Sequence, residues 1–321
     1  MNESLEERKR YYLILIILAI ICITISSIIL VSPIFFVFGW NDGLRAILSG
    51  ATFFFRFITE FGGTLIYLTI FFTFYWGINK KIARNLLMIY VFSNAVNYYG
   101  KSIIGRGRPP ESDWLLVSAS HLSTPSGHAQ SSTVFWGFLA IKSRRIIMWC
   151  ICISIIILVG LSRMYLGVHW FGDVLTGWLF GIIILDGMLI FEEPLKKVAN
   201  KFDNTLIYLG IAATGLIIML LSDLLLQIRY NFGTVGGQMI GLGIGFALEE
   251  RFINFKINAN SEVKWKMVLR ILLGILLIAV VYLVIYLIID TDIFWMNAIH
   301  YIITFLLGIV IWPLIFERIN L

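Results

Sequence analysis

The chain has 321 residues, of which 59% are hydrophobic and 14% charged, with a mean hydropathy of +0.89. A water-soluble domain carries about a quarter charged residues, so that class is excluded, and apolar runs of about 20 residues exclude the weakly alternating strands of an outer-membrane barrel. The net charge of +6 does not imply nucleic acid, because the basic residues fall in short clusters between apolar runs, as topology signals do.

Residues 1–10 are polar and end in Arg8-Lys9-Arg10, and an apolar run covers 11–31. That run is long for a signal peptide and no small-x-small site follows it, so a retained first span is expected. Residues 34–61 are aromatic and mixed, with Phe35, Phe36, Trp40, Asp42, Arg45 and Phe53-Phe54-Phe55-Arg56, and read as an interfacial segment. The second span is expected at 62–78 and the third at 82–101, followed by a polar loop with Gly105, Gly107, Pro109 and Pro110. Pro125 opens the fourth span and Lys142-Ser143-Arg144-Arg145 closes it; the fifth covers 146–166. The sixth begins near His169 and ends at Phe191, ahead of Glu192-Glu193-Pro194. Residues 1–200 are thus expected to form one compact bundle of six spans.

Four more apolar runs, at 204–222, 233–249, 267–289 and 294–316, make residues 201–321 a four-span extension, whose longest hydrophilic connection is 250–266. Glycines 233, 237, 241 and 245 share one helix face, a ladder that lets helices approach closely. Gly241-x-Gly243-x-Gly245 is no dinucleotide fingerprint, since no strand precedes it and no acidic residue follows in place. Cys22, Cys150 and Cys152 all lie inside apolar runs and read as packing residues.

With both termini in the cytoplasm, ten spans leave only Arg45, Arg56, Lys101, Arg106, Arg108, Arg163 and Arg229 of the 25 lysines and arginines outside. Lys101, Arg106, Arg108 and Arg163 fall in one stretch, 101–173, where chemistry explains their breaking the bias. The third–fourth and fifth–sixth connections are therefore expected on the extracytoplasmic side of a cytoplasmic membrane.

Those connections hold three sets at fixed spacing: Lys101-x6-Arg108-Pro109, Pro125-Ser126-Gly127-His128, and Ser162-Arg163-x5-His169-x3-Asp173. Ionisable groups at the ends of membrane spans are functional by default. A phosphate ester gathers negative charge as its bond to phosphorus breaks, and positioned cations and backbone N–H groups stabilise it. Lys101, Arg108 and Arg163 are candidates for that grip, with Arg106 beside them, and the guanidinium forks suit bidentate contact. Ser126 and Gly127 fall in the first turn of a helix, whose unpaired N–H groups face an anion. His169 and Asp173 are four apart and share a helix face, so the carboxylate orients one imidazole nitrogen and leaves the other free. The expected mechanism has two steps: His169 attacks phosphorus, and His128 protonates the leaving group and then activates water. The scheme calls for no cofactor and no metal, and no carboxylate cluster near these spans suits magnesium.

The three sets resemble the three signature motifs of the type 2 phosphatidic acid phosphatase superfamily, which includes lipid phosphate phosphatases, undecaprenyl and dolichyl diphosphate phosphatases, sphingoid-phosphate phosphatases, glucose 6-phosphatase and vanadium haloperoxidases. The resemblance covers about residues 60–195 and is complete at the motif positions, in order. It implies an all-α integral membrane protein with a six-span phosphatase core, here carrying about four additional C-terminal transmembrane helices. It also implies His169 as nucleophile, His128 as acid and base, Asp173 as orienter, and Lys101, Arg108, Ser126, Gly127 and Arg163 on phosphate.

Other polar residues read as structural. His300 lacks charged companions and reads as packing; His121 reads as a loop histidine near the entrance. Asp186 is thirteen residues past Asp173, roughly 20 Å deeper along a helix, and is expected to pair near the cytoplasmic end. Glu60, Glu111 and Asp113 read as solvated loop residues, and Trp114, Trp136, Trp170 and Trp178 as an interfacial belt. The expected activity is hydrolysis of a lipid phosphate reaching the site sideways from the bilayer: a polyprenyl diphosphate, phosphatidate, phosphatidylglycerol phosphate or sphingoid phosphate. Phosphotransfer through the same phosphohistidine is one alternative. A lipid-phosphate transporter or scramblase is another, kept open by the C-terminal spans, their glycine ladder and Asp223. Three roles stay open for those spans: cover for the core, a homodimer interface, or a wall of the tail groove.

Overall fold

The computed structural model describes residues 5–116, 122–222, 229–257, 264–288, 290 and 293–321. His121 and Asp223 lie outside the described residues. Hydrocarbon offers the backbone no water, so each apolar segment satisfies its own amides by coiling. The chain accordingly forms α1 (Leu5–Val31), α2 (Gly39–Ile47), α3 (Thr52–Thr59), α4 (Thr64–Thr73), α5 (Lys80–Ile104), α6 (Gly127–Ser143) and α7 (Ile146–Tyr165). It continues with α8 (Phe171–Ala199), α9 (Asn204–Leu221), α10 (Arg229–Leu248), α11 (Lys264–Ile288), α12 (Phe294–Leu306) and α13 (Trp312–Arg318). Among the described residues the extended pairing is limited to a bridge between Gly107 and Leu122.

Helices α1, α7, α8, α9, α11 and the stretch Phe294–Arg318 are long and apolar enough to cross a membrane; Thr52–Gly62 and Thr64–Ile78 form one more candidate, bent by 51°. The remaining expected spans are α5, α6 and α10. They are less apolar because polar side chains turn into the protein: Asn97 and Lys101 on α5, Gln130 on α6 and Gln238 on α10 are all buried. The protein is an all-α integral membrane protein with a C-terminal helical extension. The sixth span departs from expectation at its end, where α8 runs past Phe191 and through Pro194 to Ala199. Proline removes one intrahelical bond, and near a polar helix end water replaces it at little cost.

The chain divides into two compact units: Met1–Tyr67 with Phe92–Glu193, and Leu68–Val91 with Pro194–Leu321. Residues 68–91 therefore group with the C-terminal helices, although the sequence reading left them with the N-terminal stretch.

In the first unit α6 is the central helix, buried continuously from Ala129 to Ala140. Helix α8 meets it at Gly177, where a Cβ would stand 2.8 Å from the Ser126 carbonyl oxygen, so only glycine allows this approach. Tyr67 stacks on Phe135 with ring centroids 4.3 Å apart, and the Trp136 indole donates to the Phe61 carbonyl at 3.0 Å. Among the described residues Asp186 shows no ion pair of the kind expected: it is buried on α8, within electrostatic reach of Cys22, and its Oδ2 has no hydrogen bond.

In the second unit α10 lies between α9 and α12. Gly237 packs so tightly on the Ala298 backbone of α12 that a Cβ there has no room, and Gly243 does the same against α9 at Ala212. Glu249, fully buried, accepts from Lys80 and from Arg84 (2.8 Å), while Arg84 also reaches Glu250 at 3.2 Å. Buried Arg270 donates to the Trp76 carbonyl at 3.1 Å and lies 4.4 Å from the centroid of the Phe316 ring. His300 is buried against Tyr282, ring centroids 4.3 Å apart, the packing role its sequence context suggests.

Candidate active site

Every described member of the three motifs belongs to the first unit. Lys101, on the last turns of α5, is buried, and its ammonium donates to the carbonyls of Leu122 (2.8 Å) and Ser123 (2.9 Å). Those two bonds, the Gly107–Leu122 bridge and the Ser123 amide bonded to the Arg106 carbonyl (2.8 Å) draw the two ends of the α5–α6 connection together. The polar loop is also pinned by indoles: Trp170 donates to the Gly107 carbonyl and Trp114 to that of Pro109, each at 3.0 Å. Arg106, expected beside the phosphate grip, turns away from it. Its guanidinium lies 3.5 Å from the centroid of the Phe36 ring and donates to the Leu30 carbonyl at 3.0 Å, a stacked and bonded position that outcompetes exposure.

Ser126 is the N-cap of α6, its hydroxyl facing the Ala129 amide at 3.5 Å, and its own amide donates to the Asp173 carbonyl at 2.9 Å. That last bond ties the start of α6 to the start of α8. Gly127 and His128 then supply first-turn positions whose amides have no intrahelical acceptor. The His128 ring sits against Gly62, where an added Cβ would stand 3.0 Å from Cδ2.

Arg108 donates through Nη1 to the Val168 carbonyl at 2.6 Å and lies 3.0 Å from His169 Nε2. A guanidinium has only donors, so Nε2 must be the acceptor and the ring proton must sit on Nδ1. Nδ1 is 3.2 Å from Asp173 Oδ2 and 3.2 Å from the Ser123 hydroxyl. Asp173, fully buried, also accepts from the Ser123 and Thr124 hydroxyls and from the Trp170 amide at 2.8 Å. The carboxylate is thereby fixed on four donors, and the imidazole is held with an unprotonated Nε2 facing the cations. Arg163, also buried, donates to the Thr59 hydroxyl at 2.8 Å and feels the Glu60 carboxylate, the latter an exposed side chain as expected.

The charges of Lys101, Arg108 and Arg163 all act on both His128 and His169, and His128 acts on His169. Burial, then Arg108, pushes the His169 imidazole well below the usual histidine value, so the ring is neutral near pH 7. Arg108 is brought down to about 10 by burial, against the pull of Asp173, and remains a cation there. Two guanidinium cations and the Lys101 amine around a neutral, oriented imidazole suit a phosphate whose phosphorus is to be attacked by nitrogen. Among the described residues no group of three or more His, Cys, Asp or Glu side chains is placed to hold a metal ion.

Sequence reasoning missed four residues. Ser123 and Thr124 hold Asp173, and their signal was present: two hydroxyls immediately before Pro125-Ser126-Gly127-His128. Thr59 anchors Arg163. Asn41, on α2 and fully buried, donates to the carbonyls of Met164 and His169, both at 3.0 Å, across more than a hundred residues of chain. No local pattern marks it.

Residues 82–196 match the family profile described as PAP2 superfamily, and residues 232–321 match PAP2 superfamily phosphatase, transmembrane extension. The chain is 31% identical over 176 residues to sphingosine-1-phosphate phosphatase 1 of Rattus norvegicus, covering 52% of this chain and 40% of that one. It is 32% identical over 133 residues to phosphatidylglycerophosphatase B of Bacillus subtilis strain 168 (38% and 64% covered). It is 31% identical over 129 residues to undecaprenyl-diphosphatase of Sulfolobus acidocaldarius (37% and 60% covered). The chain thus spans less than two thirds of the length of each of these relatives. A crystal structure of a transmembrane PAP2-type phosphatidylglycerolphosphate phosphatase from Bacillus subtilis aligns with TM-score 0.45 and 22% identity, covering 56% of this chain and 96% of that one.

Proposed function

This chain belongs to the PAP2 superfamily, and we propose that it is a metal-independent lipid phosphate phosphatase working through a phosphohistidine. The observation that carries the reading is the held imidazole: His169 with its proton on Nδ1 beside Asp173 and its Nε2 turned to Arg108. Substrate phosphate takes the place of Nε2 as the partner of Arg108, and Lys101 and Arg163 bind its other oxygens together with the first-turn amides of Gly127 and His128, while Ser126 caps that turn with its own amide held by the Asp173 carbonyl. His169 Nε2 forms a bond to phosphorus as the bond to the lipid oxygen (or to the leaving phosphate) breaks, and His128 gives its proton to that oxygen. His128 then takes a proton from water; the hydroxide bonds to phosphorus, the P–N bond breaks, and inorganic phosphate leaves with His169 restored. Asp173 stays ionised and balances the positive charge that develops on the His169 ring.

The similar proteins named above act on sphingosine 1-phosphate, phosphatidylglycerophosphate and undecaprenyl diphosphate, so the substrate class proposed is a phosphomonoester or diphosphate on a lipid tail. The bias of basic residues supports a cytoplasmic-membrane location with both termini inside and the motif loops outside.

The test is release of inorganic phosphate from a panel of lipid phosphates by purified protein in detergent with excess EDTA. Activity with chelator, its loss in His169→Ala, and a trapped phosphoenzyme in the wild type are the expected results. Activity that disappears on adding EDTA would sink the metal-free scheme, and a newly phosphorylated acceptor in place of inorganic phosphate would make the protein a phosphotransferase.

A further inference from the structure

The second unit holds an open cleft of about 540 Å³ that no step above uses. That volume lies within the roughly 300–1,000 Å³ typical of small-ligand sites. Its charged lining is Lys80, Lys81, Arg84, Lys256 and Glu250, with Asn79 and Asn254 beside them. Four cations therefore face one carboxylate, and the second acid of the region, Glu249, is fully buried behind Lys80 and Arg84. Counting both acids, the site keeps two positive charges more than it has negative ones.

The cations divide into two kinds. Lys80 and Arg84 are fixed: Glu249 holds both, Lys80 also donates to the Phe255 carbonyl at 3.0 Å, and Arg84 donates to the Tyr208 hydroxyl at 3.2 Å. Lys80 further sits 4.0 Å from the centroid of the Phe255 ring. Lys81 and Lys256 are exposed, and they enter the cleft from two different segments, the start of α5 and the chain just after Asn254. A folded protein that needed only to solvate these lysines had no reason to aim both into one concavity with the fixed pair. Like charges gathered in a cleft repel one another, and an anion relieves that repulsion.

We propose that this cleft binds a phosphate group, with Lys81 and Lys256 closing on its oxygens over a floor made by Lys80 and Arg84. Two sources share that chemistry: the headgroup of an anionic lipid and a free phosphate anion. The segments that build the cleft carry the lysines and arginines that the charge bias assigns to the cytoplasm, so the ligand comes from that side. The site is distinct in residues from the catalytic set and stands whether or not the phosphatase reading does.

The experiment compares the thermal unfolding midpoint of the full chain with two probes. One is inorganic phosphate in neutral detergent, against chloride at equal ionic strength. The other is nanodiscs of phosphatidylcholine with and without phosphatidylglycerol, a phosphodiester. Three proteins are measured: wild type, Lys81→Ala/Lys256→Ala, and Lys197→Ala/Lys201→Ala, which removes the same charge from exposed positions outside the cleft. All substituted lysines are exposed, so each variant should fold. A ligand at a saturating excess of about 100 times its dissociation constant raises the midpoint measurably. The expected result is that at least one probe raises it in the wild type and in the Lys197/Lys201 variant, and that the Lys81/Lys256 variant loses most of that rise. Loss in the phosphate arm identifies a free anion, and loss in the nanodisc arm alone identifies a lipid headgroup. Equal responses of the two variants to both probes, or no response of the wild type to either, overturn the proposal.

Discussion

Replacing Asp173 by asparagine removes one negative charge from beside His169 while keeping the side chain's shape. The buried carboxylate receives the Trp170 amide at 2.8 Å and the Ser123 hydroxyl on Oδ2, which also faces His169 Nδ1 at 3.2 Å, and the Thr124 hydroxyl on Oδ1. An amide with its oxygen at the Oδ2 position keeps the first three contacts, and its NH2 meets a Thr124 hydroxyl that rotates to accept. The fold is therefore expected to survive. What is lost is the charge: a hydrogen bond to a charged group contributes about 1.5–3 kcal/mol against about 0.5–1.5 for a neutral one. A difference of about 1.5 kcal/mol is roughly tenfold in rate. The opposite amide rotamer puts NH2 against Nδ1–H, drives the ring proton to Nε2 and blocks attack; the corresponding change in a serine-protease triad costs about 10⁴-fold. Asp173→Asn is thus expected to lower kcat for phosphate release at least tenfold, with a far smaller change in KM and an unfolding midpoint close to that of the wild type. A kcat within threefold of wild type would refute the assignment of Asp173 to the His169 ring.

Asn41→Leu takes the side-chain donor from the buried His169 carbonyl, at about 1–3 kcal/mol for an unsatisfied group, while the Met164 carbonyl keeps the Gly167 amide at 2.9 Å; thermal unfolding should show a clear loss, and an unchanged midpoint would show that water reaches the His169 carbonyl. Single-turnover phosphoenzyme formation should stay fast as pH falls below 6.5, because burial and Arg108 hold His169 neutral there. The sign follows from protonation removing the Nε2 lone pair, so the rate is lost only as pH drops through the lowered value; a midpoint at or above 6.5 contradicts it. On the alkaline side Arg108, brought to about 10, should begin to lose its grip near that pH, and a lysine there, with its lower intrinsic range and no fork, should raise KM. Glu249→Ala leaves Lys80 and Arg84 facing each other without their buried partner. Breaking such a pair costs about 3–5 kcal/mol, measurable as reduced resistance of the second unit to proteolysis or heat.

The class of the protein was written in composition and period. Apolar runs long enough for a bilayer can only coil, because the backbone has no other donor or acceptor there; hence the helices at all ten expected positions, with ends displaced by a few residues as at α8. The identity of the charged motif residues was legible for a related reason. An ionisable group beside hydrocarbon is costly, so Lys101, Arg108, Arg163, His169 and Asp173 stand out against their surroundings. The four-residue spacing of His169 and Asp173 pointed to their contact, but not by the shared helix face expected: His169 precedes α8, which starts at Phe171, and the bend into that helix brings the ring onto the Asp173 carboxylate.

What tertiary structure decided is who holds these groups in place. Asn41 pins the His169 backbone from a short helix more than a hundred residues upstream, Thr59 anchors Arg163, and Lys101 ties its ammonium to the carbonyls of Leu122 and Ser123. Arg106, expected beside Arg108 in the phosphate grip, was sent to Phe36 and Leu30 instead. Periodicity reports only which residues share a face of their own helix, within a turn or two. Hydrogen bonds between distant segments depend on how helices cross, and that is settled by packing of glycines, aromatic rings and buried amides whose pairing no single stretch of sequence encodes.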